Sequence, residues 1–285
     1  MSCLGPISAW RARRLTENGK RGIVFNVKDG FQDMPLEVSC GKCEGCKADK
    51  ALEWAIRCYQ EASLYEENCF ITLTYDDDHI PKDGNLQKQH LQQFFKKLRR
   101  NYHQFRYYAC GEYGSTTDRP HYHALMFGTD FRNGSEYKIN EQLYSVPSIT
   151  ETWEKGSVSI SEFNMSTACY VAGYVQKKCG KEKPGEFQIM SRKPGIGVPW
   201  LGLYSEDIMK THSVVIEGRE YPVPRPYFRW AEDNMVEGLI EVKTERSKKY
   251  SNLSYEEKWE RRREADAKKI HLKQKVQRQK EKQQL

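Results

Sequence analysis

The segment Phe105–Phe127 reads FRYYACGEY, GSTTDRP, HYHALMF. Two runs rich in aromatic and aliphatic residues flank a polar stretch, Gly114 to Pro120, of turn-forming composition. Each run has strand length and strand composition, so the segment predicts two strands, Phe105–Tyr113 and His121–Phe127, the second closed by Gly128. A strand sends residues i and i+2 to one face. His121 and His123 therefore project together, Leu125 continues their face, and Tyr122, Ala124 and Met126 take the other. An antiparallel hairpin across the polar stretch brings Glu112, at the end of the first strand, beside both imidazoles. Two histidines and one carboxylate suit a divalent metal and leave positions open for water and a substrate oxygen. Taken alone, an H-x-H pair reads equally as packed or surface histidines; the strand context and Glu112 are what favour a metal.

Upstream, Phe70–Tyr75 (FITLTY) predicts a further strand that ends at Asp76, Asp77 and Asp78, which cap it. Leu86–Tyr102 predicts an amphipathic helix with Leu91, Phe94, Phe95, Leu98 and Tyr102 on one face, and Ala48–Tyr65 predicts another before it. The order strand, helix, strand, loop, strand, helix implies an α+β domain, with helices on one face of a mostly antiparallel sheet. Tyr107, Tyr108 and Tyr113 either stack bases or fill the core.

Downstream, Ser166–Lys178 predicts a helix with Ser166 or Thr167 as N-cap. Tyr170 and Tyr174 lie four apart and share a face, flanked by Lys177 and Lys178. A phenol, with a reference pKa of about 10, needs a cation or a base to become a nucleophile. Its attack on a polarised phosphodiester leaves a 5′-phosphotyrosine and a free 3′-hydroxyl. Two tyrosines one turn apart permit a second cut while the first link persists. A pair of core aromatics is the plainer reading of the same spacing; the coincidence with the lysines and the H-x-H in one chain argues for chemistry.

The chain divides into residues 1–66, a Cys-containing segment and helix; 67–235, mixed strands and helices; and 236–285, a charged helical tail. The tail carries fifteen Lys/Arg against nine Asp/Glu, so it holds most of the net charge of +7. That basicity fits a nucleic-acid partner or a solvated helix, Glu256–Lys282 included. No run of about 18 apolar residues is present, which excludes a membrane helix. The N-terminus lacks a secretory core, so the expectation is a cytoplasmic protein with reduced cysteines. Cys40, Cys43 and Cys46 put three thiols in seven residues. They suit a structural zinc, with Cys3 or Cys58 as the fourth ligand, or form a reduced Gly-rich turn; an iron–sulfur centre fits less well. Ser191–Gly197 (SRKPGIG) is a basic glycine loop, either a DNA-backbone contact through Arg192 and Lys193 or a plain surface loop.

Taken in order, Phe70–Tyr75, Arg119–Leu125 (RPHYHAL) and Tyr170–Lys178 (YVAGYVQKK) resemble the three motifs of HUH replication initiators. With Cys40–Cys46 (CGKCEGC) and SRKPGIG added, the chain is similar to the replication initiators of the Microviridae, above all the gokushovirus-like branch. The resemblance covers about residues 1 to 230 and not the tail. It implies an HUH-endonuclease fold with an antiparallel sheet of about five strands and helices packed on it. It implies Mg²⁺ or Mn²⁺ at His121, His123 and Glu112, nucleophiles Tyr170 and Tyr174 beside Lys177 and Lys178, and DNA contacts at Arg119, Arg192 and Lys193. The implied activity is rolling-circle initiation: nicking single-stranded phage origin DNA and rejoining its ends, with host helicase or polymerase as further partners. The middle residue of His-x-His is usually apolar in the family; Tyr122 departs from that. The alternatives are another HUH enzyme of the transposase or relaxase kind, or a non-catalytic zinc-stabilised nucleic-acid-binding protein.

Overall fold

A computed structural model of the chain describes residues 3–17, 19, 21–114, 117–177 and 186–251, and scattered positions from 254 to 274. For residues 174–177, 243 and 246–251 the description covers the backbone alone. The chain forms two compact units, one of Met1–Lys50 with Lys249–Leu285, the other of Ala51–Lys248.

The smaller unit contains β1 (Ile7–Leu15), β2 (Arg21–Val24) and β3 (Gly30–Val38), an antiparallel sheet in the order β2-β1-β3. This sheet was not foreseen. Its strands mix arginines with apolar residues on both faces, so neither face alternates cleanly. Helix α1 (Glu44–Ala62) follows and supplies apolar residues to the larger unit; it starts and ends earlier than Ala48–Tyr65.

In the larger unit the chain then gives β4 (Asn68–Tyr75), α2 (Lys88–Asn101), β5 (Arg106–Tyr113), β6 (Pro120–Phe127), β7 (Tyr137–Lys138) and β8 (Tyr144–Ser145). It continues with α3 (Pro147–Trp153), β9 (Gly156–Glu162), α4 (Met165–Lys177), β10 (Phe187–Met190) and α5 (Val198–Thr211). It ends with β11 (Val214–Ile216), β12 (Arg219–Tyr221), α6 (Arg225–Asp233) and α7 (Glu237–Ser251). Among the described residues one sheet runs β10-β5-β6-β4-β9-β8-β7, with every pair antiparallel. The α+β class and the antiparallel sheet are as expected, with the short β7–β8 hairpin extending the five longer strands.

Helices cover both faces of this sheet, where one had been expected. Ile71, Leu73, Ala109, Tyr122, Ala124 and Met126 pack under Leu91, Phe94, Phe95 and Leu98 of α2 and Ile149 and Trp153 of α3. Phe70, Tyr108, Cys110, Leu125 and Phe127 face the other way, under Ala55, Cys58 and Ala62 of α1 and Ala168, Val171 and Ala172 of α4. The reason lies in the central strands: β6 is apolar on both faces over most of its length, so both must be buried. Each fully buried Phe or Leu here contributes about 1.5–3 kcal/mol. An outer cluster joins Ile56 of α1 to Leu201, Ile208, Val214, Tyr227 and Leu239.

Candidate metal and tyrosine site

The register of three strands builds the site. Glu112 of β5 lies directly opposite His121 of β6, and Cys110 opposite His123. On the other side of β6, Thr74 pairs with His121 and Thr72 with His123. The hairpin closes at Tyr113 and Pro120, with the Gly114 N–H donating to the Arg119 carbonyl at 3.0 Å. These pairings put Glu112, His121, His123 and Thr72 on the face that packs under α1 and α4.

Glu112 Oε1 lies 2.8 Å from His121 Nε2 and 2.9 Å from His123 Nε2. One donor atom from each residue falls within 4.8 Å of the others. Two ligands at right angles around a cation with bonds of about 2.1 Å are roughly 3.0 Å apart, so a few tenths of an ångström of expansion admits an ion. The other carboxylate oxygen, Oε2, is buried and has no hydrogen-bond partner among the described residues, in a side chain only 2% exposed. A buried carboxylate with an orphaned oxygen is costly unless a cation completes it. The donor set fits a divalent metal ion.

The far nitrogens are fixed. His121 Nδ1 donates to the Arg119 carbonyl at 3.0 Å, because a carbonyl can only accept; this leaves Nε2 for the site. His123 Nδ1 lies 2.9 Å from Thr72 Oγ1. Such outer partners orient a ligand imidazole and set its tautomer. Burial alone would raise the Glu112 pKa, but the two imidazoles hold it below the usual carboxylate range. Burial pulls His121 down, yet the Glu112 carboxylate and Arg119 carbonyl outweigh it and leave the pKa raised. At His123 burial prevails, and the pKa is lowered.

Tyr170 stands over this site. Its ring meets the His123 ring edge-on at 5.3 Å between centroids, while Phe70 stacks on His123 at 5.4 Å. The Tyr170 side chain is 43% exposed, so it is not the core aromatic of the plainer reading. Tyr174 lies one turn further along α4, about 6 Å of rise. The side chains of Tyr174 and Lys177, and Lys178 as a whole, lie outside the described residues. Asn164, rather than Ser166 or Thr167, caps α4: its Oδ1 accepts from Thr167 N while its own N–H donates to Thr167 Oγ1.

Tyr122 is fully buried, its hydroxyl donating to Gln87 O, accepting from Gln87 N and meeting Tyr75 Oη at 2.7 Å. Its polar tip is thereby satisfied on the face away from the metal site. Tyr108 packs on Trp54, Tyr107 on Phe95, and the Tyr113 hydroxyl accepts from Leu86 N, so these three build the core rather than stack bases. Asp76 caps the end of β4, accepting from the His79 backbone. Arg119 is engaged within the protein, donating to the Tyr75 carbonyl and to Asp77. Arg192 and Lys193 are exposed on a loop that is strapped down at both ends. Ser191 exchanges hydrogen bonds with Tyr107, Arg106 reaches Pro194 O, Arg57 reaches Ile196 O, and Gly197 N–H donates to buried Glu61. Cys3, Cys40, Cys43 and Cys46 converge in the smaller unit, while Cys58 is buried in the larger one. Thr72 was missed in the sequence; its signal is a hydroxyl placed by β4 alternation on the same face as Phe70.

The family model for the replication-associated protein ORF2 matches residues 68–179, the stretch that carries β4, β5, β6 and α4. The replication-associated protein VP4 of Bdellovibrio phage phiMH2K is 31% identical over 260 residues, covering 85% of this chain and 80% of the relative. ORF2 of Spiroplasma virus 4, likewise a replication-associated protein, is 31% identical over 213 residues, 67% of each chain. The replication-associated protein ORF4 of Chlamydia phage 1 is 29% identical over 266 residues, covering 85% of this chain and 65% of the relative. No solved structure matches. With a site built on the matched residues and relatives aligned along most of its length, the chain belongs to the phage replication-associated proteins, the replication initiators of the Microviridae.

Proposed function

We propose that this protein is a rolling-circle initiator of the HUH type, whose nicking domain spans about 67–235 and cuts single-stranded phage origin DNA with a tyrosine of α4. The observation that carries this reading is the Tyr170 ring set against His123, whose Nε2 converges with Glu112 Oε1 and His121 Nε2 on one point. Magnesium or manganese bound there supplies Lewis acidity to the scissile phosphate. Glu112 contributes the negative charge, and the Arg119 carbonyl and Thr72 hydroxyl hold the imidazoles for the task. Tyr170, in contact with His123, makes the first cut. Its phenolic oxygen bonds to phosphorus as the bond to the 3′ oxygen breaks; the phenol loses its proton to solvent and the departing oxygen gains one. Tyr174, one turn on, makes the second cut, so that the ends can be rejoined. Arg192 and Lys193 contact the DNA backbone from a braced loop. The protein acts in the host cytoplasm beside host helicase or polymerase; no helix among the described residues is long and apolar enough to cross a membrane.

The test is incubation with origin-bearing single-stranded DNA and Mn²⁺. A covalent protein–DNA product that vanishes in His121→Ala supports the proposal. Tight binding without cleavage on every origin substrate would favour the non-catalytic reading instead.

A further inference from the structure

We propose that Cys3, Cys40, Cys43 and Cys46 hold one structural zinc ion that staples the N-terminal sheet to the start of α1. The strand pairing assembles the site. Ile7 of β1 pairs with Val38 of β3, so the chain entering β1 runs beside the chain leaving β3. That places Cys3, four residues before Ile7, next to Cys40, two residues after Val38. Cys40-Gly41-Lys42-Cys43 then turns, with Gly41 at φ +74°, and Cys46 sits in the first turn of α1.

The sulfur spacing matches a single tetrahedral ion. Zinc–sulfur bonds of about 2.3 Å place neighbouring sulfurs about 3.8 Å apart. Cys40 Sγ lies 3.9 Å from Cys46 Sγ, and Cys43 Sγ lies 3.9 Å from Cys3 Sγ. These two pairs share no atom, so they are opposite edges of one tetrahedron, and no separation among the four exceeds 4.8 Å. A multi-iron cluster spreads its cysteines over different metal atoms and needs them further apart. Three backbone N–H groups point at the sulfurs: Leu4 at Cys43, Cys40 at Cys3 and Cys43 at Cys40, at 3.2, 3.3 and 3.4 Å. Such donors stabilise thiolate, the form that binds metal.

A second observation shows why the sheet needs the ion. Among the described residues before Lys50, the buried hydrophobic side chains are Cys3, Ala9 and Cys46 alone, while Ile7, Leu15, Ile23, Phe25 and Met34 are exposed. A three-stranded sheet with so little core requires a staple, and closed four-cysteine zinc sites supply folding energy directly.

The full-length chain, purified without chelator, is analysed for metal and by X-ray absorption at the zinc edge, with His121→Ala as background so that the other site contributes nothing. The expected result is about one zinc per chain with four sulfur neighbours at about 2.3 Å, kept in Cys58→Ala and lost in Cys43→Ser. Chelation should speed amide exchange in residues 7–38 while leaving β4 and β6 protected, a readout that needs no variant. Absence of zinc with no uptake of added Zn²⁺ or Co²⁺, nitrogen or oxygen neighbours, iron in place of zinc, or loss in Cys58→Ala would overturn the assignment.

Discussion

Replacing Thr72 by valine should weaken cation binding without dismantling the fold. The two side chains are nearly the same shape and both suit a central strand. A cation takes the lone pair of His123 Nε2, so the loaded imidazole must carry its proton on Nδ1, which faces Thr72 Oγ1 at 2.9 Å. His123 is 4% exposed, so water cannot replace the lost acceptor. A buried N–H left unpaired costs about 1–3 kcal/mol. Loss of an outer partner typically costs about 10- to 100-fold in metal affinity, or about 1.4–2.8 kcal/mol at 1.4 kcal/mol per tenfold, and the two figures agree. Without metal the proton can sit on Nε2 toward Glu112, and the loss reduces to about 1 kcal/mol for one ordinary hydrogen bond, about 2–4 °C for a unit of this size. Mn²⁺ titrations followed by thermal stabilisation and by nicking should both shift to about 10- to 100-fold higher concentration, and Thr72→Ser should recover most of the loss. A folded Thr72→Val protein with an unchanged Mn²⁺ midpoint would refute the claim that Thr72 orients a ligand.

Glu112→Gln should abolish the thermal stabilisation given by Mn²⁺, which for wild type at 100 times its dissociation constant amounts to about 2.7 kcal/mol; equal stabilisation of the two proteins would count against Glu112 as a ligand. Tyr122→Phe strands the Gln87 N–H and loses the contact with Tyr75, so urea unfolding should report a loss of about 1–3 kcal/mol with the Mn²⁺ dependence of nicking unchanged. Gly197→Ala forces an L residue to φ +77° and sets its Cβ 2.3 Å from the Tyr227 hydroxyl, which itself bonds buried Gln60. The left-handed conformation alone costs about 1–2 kcal/mol, so urea unfolding should show a loss above that figure, and a neutral result would mean the loop is free to move.

The metal triad was legible because its determinants are local. The i, i+2 rule puts two histidines on one face, and a short polar turn leaves β5 and β6 no choice but to pair with Glu112 opposite His121. Thr72 escaped notice because its partner is set by the β4–β6 register across a helix, a distance sequence alone does not span. Cys3 could not be preferred over Cys58 for the same reason, since only the β1–β3 pairing brings it beside Cys40. The covering of both sheet faces was visible in the unbroken apolar run of β6, yet the alternation of histidines along that strand drew the reading toward a half-solvated sheet. The role of SRKPGIG divides: its Arg192–Lys193 tip stays exposed, while Ile196 and Gly197 are fixed by Glu61 and Arg57, contacts from a helix more than a hundred residues earlier.

The phenolic oxygen of Tyr170 is the atom on which the nicking account turns. Wild type, Tyr170→Phe and Tyr174→Phe are incubated with 5′- or 3′-labelled single-stranded origin DNA and Mn²⁺, and the denatured products are resolved. The account predicts a DNA 5′ end attached to protein through Tyr170 in wild type and in Tyr174→Phe, and a first cut absent from Tyr170→Phe. A full yield of covalent product in Tyr170→Phe, or cleavage that leaves both DNA ends free of protein, would contradict it.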